Sequence, residues 1–189
     1  MIIGLLGKKG SGKDTIADHI TKHYSYKKTS FAKPIKNVCK YLFGFNEQQV
    51  NGIDKEKIDP NWGVAPRTVL QYFGTDVFRN DINKIMPIGD EFWINRFRNK
   101  YYKNKINYVI ADVRFQNEVD AIHKMDGIII KVERAVTNHC IDLHESEKNI
   151  DFIDNYDYII ENNETVLDLY KKIDEIILNS KIINTEFKL

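Results

Sequence analysis

The chain has 189 residues, 42% of them hydrophobic and 12% aromatic, which suits one α/β domain or one core carrying an inserted lid. Net charge is +1, from 28 Lys+Arg against 27 Asp+Glu, so no bulk field recruits nucleic acid or an anionic membrane. Any polyanion must therefore be held by a local cluster of positive groups.

Met1–Leu6 is apolar but lacks a preceding basic segment, and Lys8 and Lys9 follow at once. It reads as a buried strand, not as a signal peptide or membrane span. Ile2–Leu6 is the first predicted strand, ended by a Gly-rich turn. A helix follows from Lys13, with Ile16, Ala17 and Ile20 at helical spacing, and Thr29–Phe31 is a short second strand. Pro34 suits a first helical turn, after which Ile35, Val38, Cys39, Leu42 and Phe43 form a stripe closed by Gly44.

Asn46–Asn61 is polar without clear periodicity and reads as a loop. Pro66 opens the next helix, with Val69, Leu70, Phe73 and Val77 inward, and another helix spans about Asp90–Tyr102. Tyr108–Asp112 is a strongly buried strand, followed by a helix over Asn117–Lys124 and a strand over Gly127–Val132. The polar stretch Ala135–Ile150 reads as a lid or long functional loop. A final strand, Tyr156–Glu161, precedes an amphipathic helix over Val166–Leu178. Alternating strands and helices predict a three-layer α/β fold with a mostly parallel sheet. Cys39 and Cys140 lie far apart and outside any C-x-x-C pair, which points to a reducing, cytoplasmic compartment.

Gly7-Lys8-Lys9-Gly10-Ser11-Gly12-Lys13-Asp14-Thr15 has the spacing of a phosphate-binding Walker A loop, between a predicted strand and a helix. Glycines let backbone N–H groups surround a phosphate, the helix N-terminus adds positive potential, and Lys13 supplies a point charge. Lys9 and Ser11 lie in the same nucleotide-binding turn, although lysines here also suit a solvated surface. Asp14 stands where the motif has Ser or Thr. Either the Asp14 carboxylate holds Mg²⁺, or Thr15 does so while Asp14 favours the first helical turn.

Asp112 and Arg114 stand at the carboxyl end of a predicted strand, where open α/β sheets gather ligands. Asp112 suits a metal-bound water or a substrate group, and Arg114 a bidentate phosphate clamp. A salt bridge between them, or a helix cap by Asp112, is the structural alternative. Arg67 and Gln71 are i, i+4 and share one helix face, which supports a joint role.

Gly12–Thr15, Ser30–Lys36, Trp62–Asp76, Asp90–Trp93, Asp112–Glu118, His144–Glu147 and Ile159–Asn163 together resemble the deoxynucleoside monophosphate kinases of bacteriophages and related viruses. The blocks run in that family's order over nearly the whole chain. The resemblance implies one P-loop kinase domain over residues 1–189, with an acceptor-binding insertion at about 33–105 and a lid at about 135–150. It implies ATP as donor, Mg²⁺ as cofactor, a deoxynucleoside 5′-monophosphate as acceptor and the diphosphate as product. Nucleic acid and membrane partners are not expected, and a homodimer is a reasonable state.

The resemblance further implies that Phe31, Arg67, Gln71, Arg79, Trp93 and Arg114 surround the acceptor. Aromatic faces stack on a base, an amide reads a base edge, and arginines clamp phosphate. Read alone, Phe31 and Trp93 suit a core, and Arg67, Gln71 and Arg79 suit a helix surface. Arg134 is placed near the transferring group or the adenine. His144, Ser146 and Glu147 belong to the lid, with a helix start capped by Ser146 or Asp142 as the alternative. His139, Cys140, His144 and Glu147 match no familiar zinc spacing. Asn162 or Asn163 reads adenine, or the pair forms a plain turn.

Two rivals frame this expectation. A phosphomevalonate kinase of the animal type resembles the Gly-Lys-Asp loop and the Ser–Glu lid motif but lacks the Arg67–Asp76 block. A nucleotide-dependent regulatory binding protein also uses such loops, and it predicts slow hydrolysis without a phosphorylated small product.

Overall fold

The computed structural model describes residues 1–86, 88–104, 106–135 and 149–186, with side chains described as far as residue 180 apart from residue 89. The chain forms two compact units: Met1–Ser30 together with Ile106 onward, and the intervening Phe31–Lys105.

The first unit holds five strands: β1 (Ile2–Leu6), β2 (Tyr26–Thr29), β3 (Asn107–Val113), β4 (Ile128–Glu133) and β5 (Tyr158–Glu161). Their order is β2-β3-β1-β4-β5, and every pairing is parallel. β1 is buried along its whole length because it pairs with β3 on one side and β4 on the other. This central place explains its unbroken apolar sequence, since a parallel strand covered on both faces has no solvent side.

Helices α1 (Lys13–His23) and α7 (Val166–Glu186) cover one face of the sheet. Ile16, Ala17 and Ile20 of α1 and Leu169, Ile173 and Ile177 of α7 pack with Ile3, Leu5, Val109, Ala111, Ile130 and Val132. Helix α6 (Gln116–His123) packs on the other face, where Ile122 approaches Gly4 and Ile129. The resulting three layers are the α/β architecture expected from the sequence.

Two expectations about this unit are corrected. The second strand is Tyr26–Thr29 and stops short of Phe31. It is an edge strand, so only Tyr26 and Thr29 are buried, while Lys27 is exposed and Lys28 half-buried. The last helix continues well past Leu178, to Glu186.

The second unit is helical: α2 (Lys33–Phe43), α3 (Glu47–Asn51), α4 (Pro66–Gln71) and α5 (Phe92–Asn104). Pro34 lies in the first turn of α2, and Gly44 ends it at φ 68°. The expected loop over Asn46–Asn61 instead contains α3 and a 3₁₀ turn at Ile53–Glu56. A reciprocal capping box starts α3: Asn46 Oδ1 accepts the Gln49 N–H at 3.0 Å, and Gln49 Oε1 accepts the Asn46 N–H at 2.9 Å. After α4 the backbone widens into a π-helix over Tyr72–Asn80. That change of period leaves Phe73 and Val77 half-buried, whereas Val69 and Leu70 of α4 are buried. Among the described residues no helix is long and apolar enough to cross a membrane.

Candidate active site

In an all-parallel sheet every strand delivers its carboxyl end to the same edge. β1 runs into Gly7, β3 into Arg114, β4 into Arg134 and β5 into Asn162. Because β1 lies between β3 and β4, the glycine-rich turn stands at the middle of that edge. Residues far apart in sequence are thereby gathered around Gly7–Lys13.

The turn is tightly built. A Cβ on Gly7 would run into the Val132 carbonyl oxygen, so the loop leaves β1 pressed against β4. Gly12 caps α1 at φ 107°, in the left-handed region that disfavours side chains. Lys13 opens α1, and its side chain folds back over the turn. Its ammonium donates to the carbonyls of Gly7 at 2.5 Å and Lys8 at 2.6 Å, with Ser11 Oγ at 3.4 Å. Lys13 and Ser11 are both buried. A cation is thus held at the N-terminus of a helix, where the helix dipole adds to its potential.

Asp14 and Thr15 occupy the first turn of α1. The Asp14 carboxylate is 82% exposed and pairs with Lys28 at 2.9 Å, and Lys28 also meets Asp18 at 2.8 Å. Burial pulls the Lys28 ammonium down, but its hydrogen bonds to Asp18 and Asp14 and their charges outweigh this, leaving its pKa raised. Thr15 is half-buried, and among the described residues its hydroxyl makes no hydrogen bond.

Asp112 lies in β3 and Arg114 just beyond its end, both half-buried. What positions Arg114 emerges only from the structure. Glu118, 2% exposed, accepts the backbone N–H of Arg114 at 2.8 Å and of Phe115 at 3.2 Å. It therefore fixes the bend between β3 and α6. Arg114 and Glu118 are i, i+4 in sequence, a spacing that could have drawn attention to the pair.

Beside the turn lies a cavity of about 470 Å³, bounded by Gly7–Ser11, Lys131–Ala135, Ile150 and Asp151. Arg134 is exposed along its wall. Two ion pairs line it, Lys8–Asp151 at 2.8 Å and Lys131–Glu133 at 3.0 Å. Asn162 donates from its side-chain amide to the Ser11 carbonyl at 2.8 Å, and Asn163 Oδ1 accepts the Ala135 N–H at 2.7 Å. The lid residues His144, Ser146 and Glu147, and likewise His139 and Cys140, lie outside the described residues.

The remaining expected residues belong to the second unit. Arg67, in α4, pairs with Glu56 at 3.3 Å, and Gln71 ends the same helix half-buried. Arg79 is buried in the π-helix and donates to the Asp90 carbonyl at 3.3 Å. Trp93 is 6% exposed, stands against Phe78 and Phe92, and donates its indole N–H to the Gly74 carbonyl at 2.8 Å. Phe31 is buried and meets Phe97 edge-on at 5.7 Å.

The model of the deoxynucleotide monophosphate kinase family matches residues 1–61 and 40–173. A relative from Acanthamoeba polyphaga mimivirus that carries this kinase name is 36% identical over 194 residues, spanning 97% of this chain and 100% of its own length. The deoxynucleotide monophosphate kinase of Enterobacteria phage T4 is 24% identical over 243 residues, spanning 91% of this chain and 96% of its own. Among solved structures, shikimate kinase from Aquifex aeolicus superposes with a TM-score of 0.54 at 10% identity, over 96% of this chain and 99% of that one. That likeness speaks to the fold alone. With the glycine-rich turn, the buried lysine and the matching family model in agreement, the chain belongs to the deoxynucleotide monophosphate kinase family.

Proposed function

We propose that the chain transfers the γ-phosphoryl group of ATP to a deoxynucleoside 5′-monophosphate, yielding ADP and the deoxynucleoside diphosphate. The observation that carries this reading is the buried Lys13 ammonium folded over the Gly7 and Lys8 carbonyls, in a chain of this family. A triphosphate tail in the turn would meet the backbone N–H groups, the N-terminus of α1 and the Lys13 ammonium. Phosphate oxygens would then replace the loop carbonyls as acceptors of Lys13.

Such a transfer needs little covalent help from the protein. The acceptor phosphate oxygen is already anionic at neutral pH, so no general base is required. The residues have to align the reacting groups, spread their charge and exclude water. Lys13, Arg114 and Arg134 are the cations assigned to the transferring group. Glu118 supports Arg114 by fixing the backbone that carries it.

Magnesium, when bound with the nucleotide, neutralises phosphate charge. The donor chemistry fits: Thr15 offers a hydroxyl without another hydrogen-bond partner among the described residues, and Asp112 a half-buried carboxylate. Asp14 is the weaker candidate, because Lys28 holds its carboxylate.

For the acceptor, we assign Arg67 and Arg79 to phosphate, Gln71 to a base edge and Phe31 to a base face. Arg67 would exchange or share its Glu56 partner on binding. Trp93 would act as a wall, since its indole N–H is committed to Gly74. Residues 135–150 are assigned to a lid that excludes water. The site is read as that of a cytoplasmic enzyme acting on small nucleotides, with a homodimer as the proposed state.

The test is a panel of deoxynucleoside and ribonucleoside monophosphates with ATP and Mg²⁺, followed by coupled ADP release, with phosphomevalonate as comparison. Product formation with at least one deoxynucleoside monophosphate supports the reading. Turnover on phosphomevalonate alone, or slow hydrolysis without a phosphorylated product, overturns it.

A further inference from the structure

We infer that Asn162 is a positioning residue for the phosphate loop and does not read the nucleotide base. The inference rests on the proposed use of that loop for a triphosphate, and it replaces the adenine-facing role that Asn162 suggests from sequence.

The geometry commits both ends of the residue. Its backbone N–H donates to the Glu133 carbonyl at 2.7 Å, which ties the turn after β5 to the end of β4. Its side-chain Nδ2 donates to the Ser11 carbonyl at 2.8 Å. A carbonyl oxygen only accepts, so the amide NH₂ must face Ser11. The glycine at position 12 belongs to the same arrangement: a Cβ there would lie 2.5 Å from Asn162 Nδ2. The side chain thus fills the space left by the missing Cβ.

The bond acts on one peptide unit. In a trans peptide the Ser11 carbonyl and the Gly12 N–H point in opposite directions. Holding the carbonyl on Asn162 therefore sets the direction of the Gly12 N–H. Gly12 itself, at φ 107°, has no side chain to restrain that rotation. On the far side of the same residue, Ser11 Oγ lies 3.4 Å from the Lys13 ammonium, and the Ser11 N–H donates to the Lys8 carbonyl at 3.2 Å. Asn162 is therefore the outer restraint on the peptide whose inner neighbours include the lysine.

The experiment is calorimetric titration of the full chain and of Asn162→Ala and Asn162→Asp with two probes, Mg·ATP and base-free Mg·tripolyphosphate. Steady-state kinetics on the same proteins supply KM for ATP and for the monophosphate acceptor. We expect both probes to weaken by the same factor in Asn162→Ala, roughly five- to tenfold for one lost hydrogen bond. The isosteric Asn162→Asp sets an acceptor against the carbonyl and loses at least as much. KM for the acceptor stays near that of the wild type.

If ATP weakens while tripolyphosphate does not, Asn162 reads the base and the inference is wrong. It is equally wrong if neither probe weakens, or if acceptor KM rises in step with ATP KM. A wild-type chain that binds neither probe removes the kinase reading, and this inference with it. Normal wild-type binding with unaltered variants removes the inference alone. A partly folded variant lowers the stoichiometry, and the affinity of its folded fraction remains readable.

Discussion

The Lys13 ammonium lies 2.5 Å from the Gly7 carbonyl oxygen, closing a ring between the last turn of backbone after β1 and the first residue of α1. Replacing Lys13 by Ala removes the charge without removing the glycines that shape the turn. Turnover should fall roughly 10²–10³-fold, the usual effect of losing one preorganised charge at a transferring group. Coupled ADP release measures this, and circular dichroism checks the fold. Activity within tenfold of wild type would exclude the loop from catalysis.

The two oxygen donors at the head of α1 should separate on substitution. Asp14 is exposed and held by Lys28, whereas the Thr15 hydroxyl is not engaged by another described residue. Thr15→Val is expected to lower kcat and raise the Mg²⁺ concentration needed for half-maximal rate. Asp14→Asn should change both by less. A magnesium titration that ranks them the other way assigns the metal to Asp14.

Glu118 offers a test of the bend that carries Arg114. Glu118→Ala leaves two backbone N–H groups without their acceptor, so it should destabilise the protein by about 1–3 kcal/mol. Acceptor KM should rise as well, because Arg114 loses its anchor. Glu118→Gln keeps an acceptor oxygen and should recover most of both losses. Denaturant melts and acceptor kinetics on the two variants provide the comparison.

Alkaline pH should weaken the packing of α1 against α7. Burial, then the hydrogen bond to Asp174 and its negative charge, push the Tyr24 phenol up to about 12 from an ordinary value of 10.0. The folded state therefore holds its proton more tightly than the unfolded chain. This contribution is complete below about pH 10 and disappears as pH rises toward 12. Thermal melts of Tyr24→Phe should show a shallower decline across that window. Parallel curves for the two proteins would show that Tyr24 contributes nothing there.

The sheet was readable because its strands are unusually plain. β1, β3 and β4 are covered on both faces, and such strands appear as continuous apolar runs that need no partner information. β2 was misplaced because an edge strand with the sequence Tyr-Lys-Lys-Thr hides only two side chains. The Asn46–Gln49 capping box starts a helix with almost no apolar face, so periodicity missed it. The π-helix defeated a 3.6-residue reading for a related reason, since its repeat differs after Tyr72.

The glycine-rich turn and its lysine were equally legible, because spacing within one short segment specifies them. What steadies the turn was not. Asn162 reaches Ser11 across 151 positions of sequence, and no local pattern records that contact. Glu118 looked like an ordinary helix residue until burial and two backbone donors gave it a role.

The central place of β1 has a consequence for the order in which the molecule can be made. Its neighbour on one side lies 106 positions further on, as the Met1–Asn107 contact records, and the neighbour on the other side follows later still. During synthesis β1 emerges before both of its flanking strands, so local pairing cannot shelter its Ile and Leu side chains. Nascent chains halted before Val132 should engage chaperones through this segment and stay unable to retain nucleotide. The phosphate loop is thus synthesised well before the strands that make it usable.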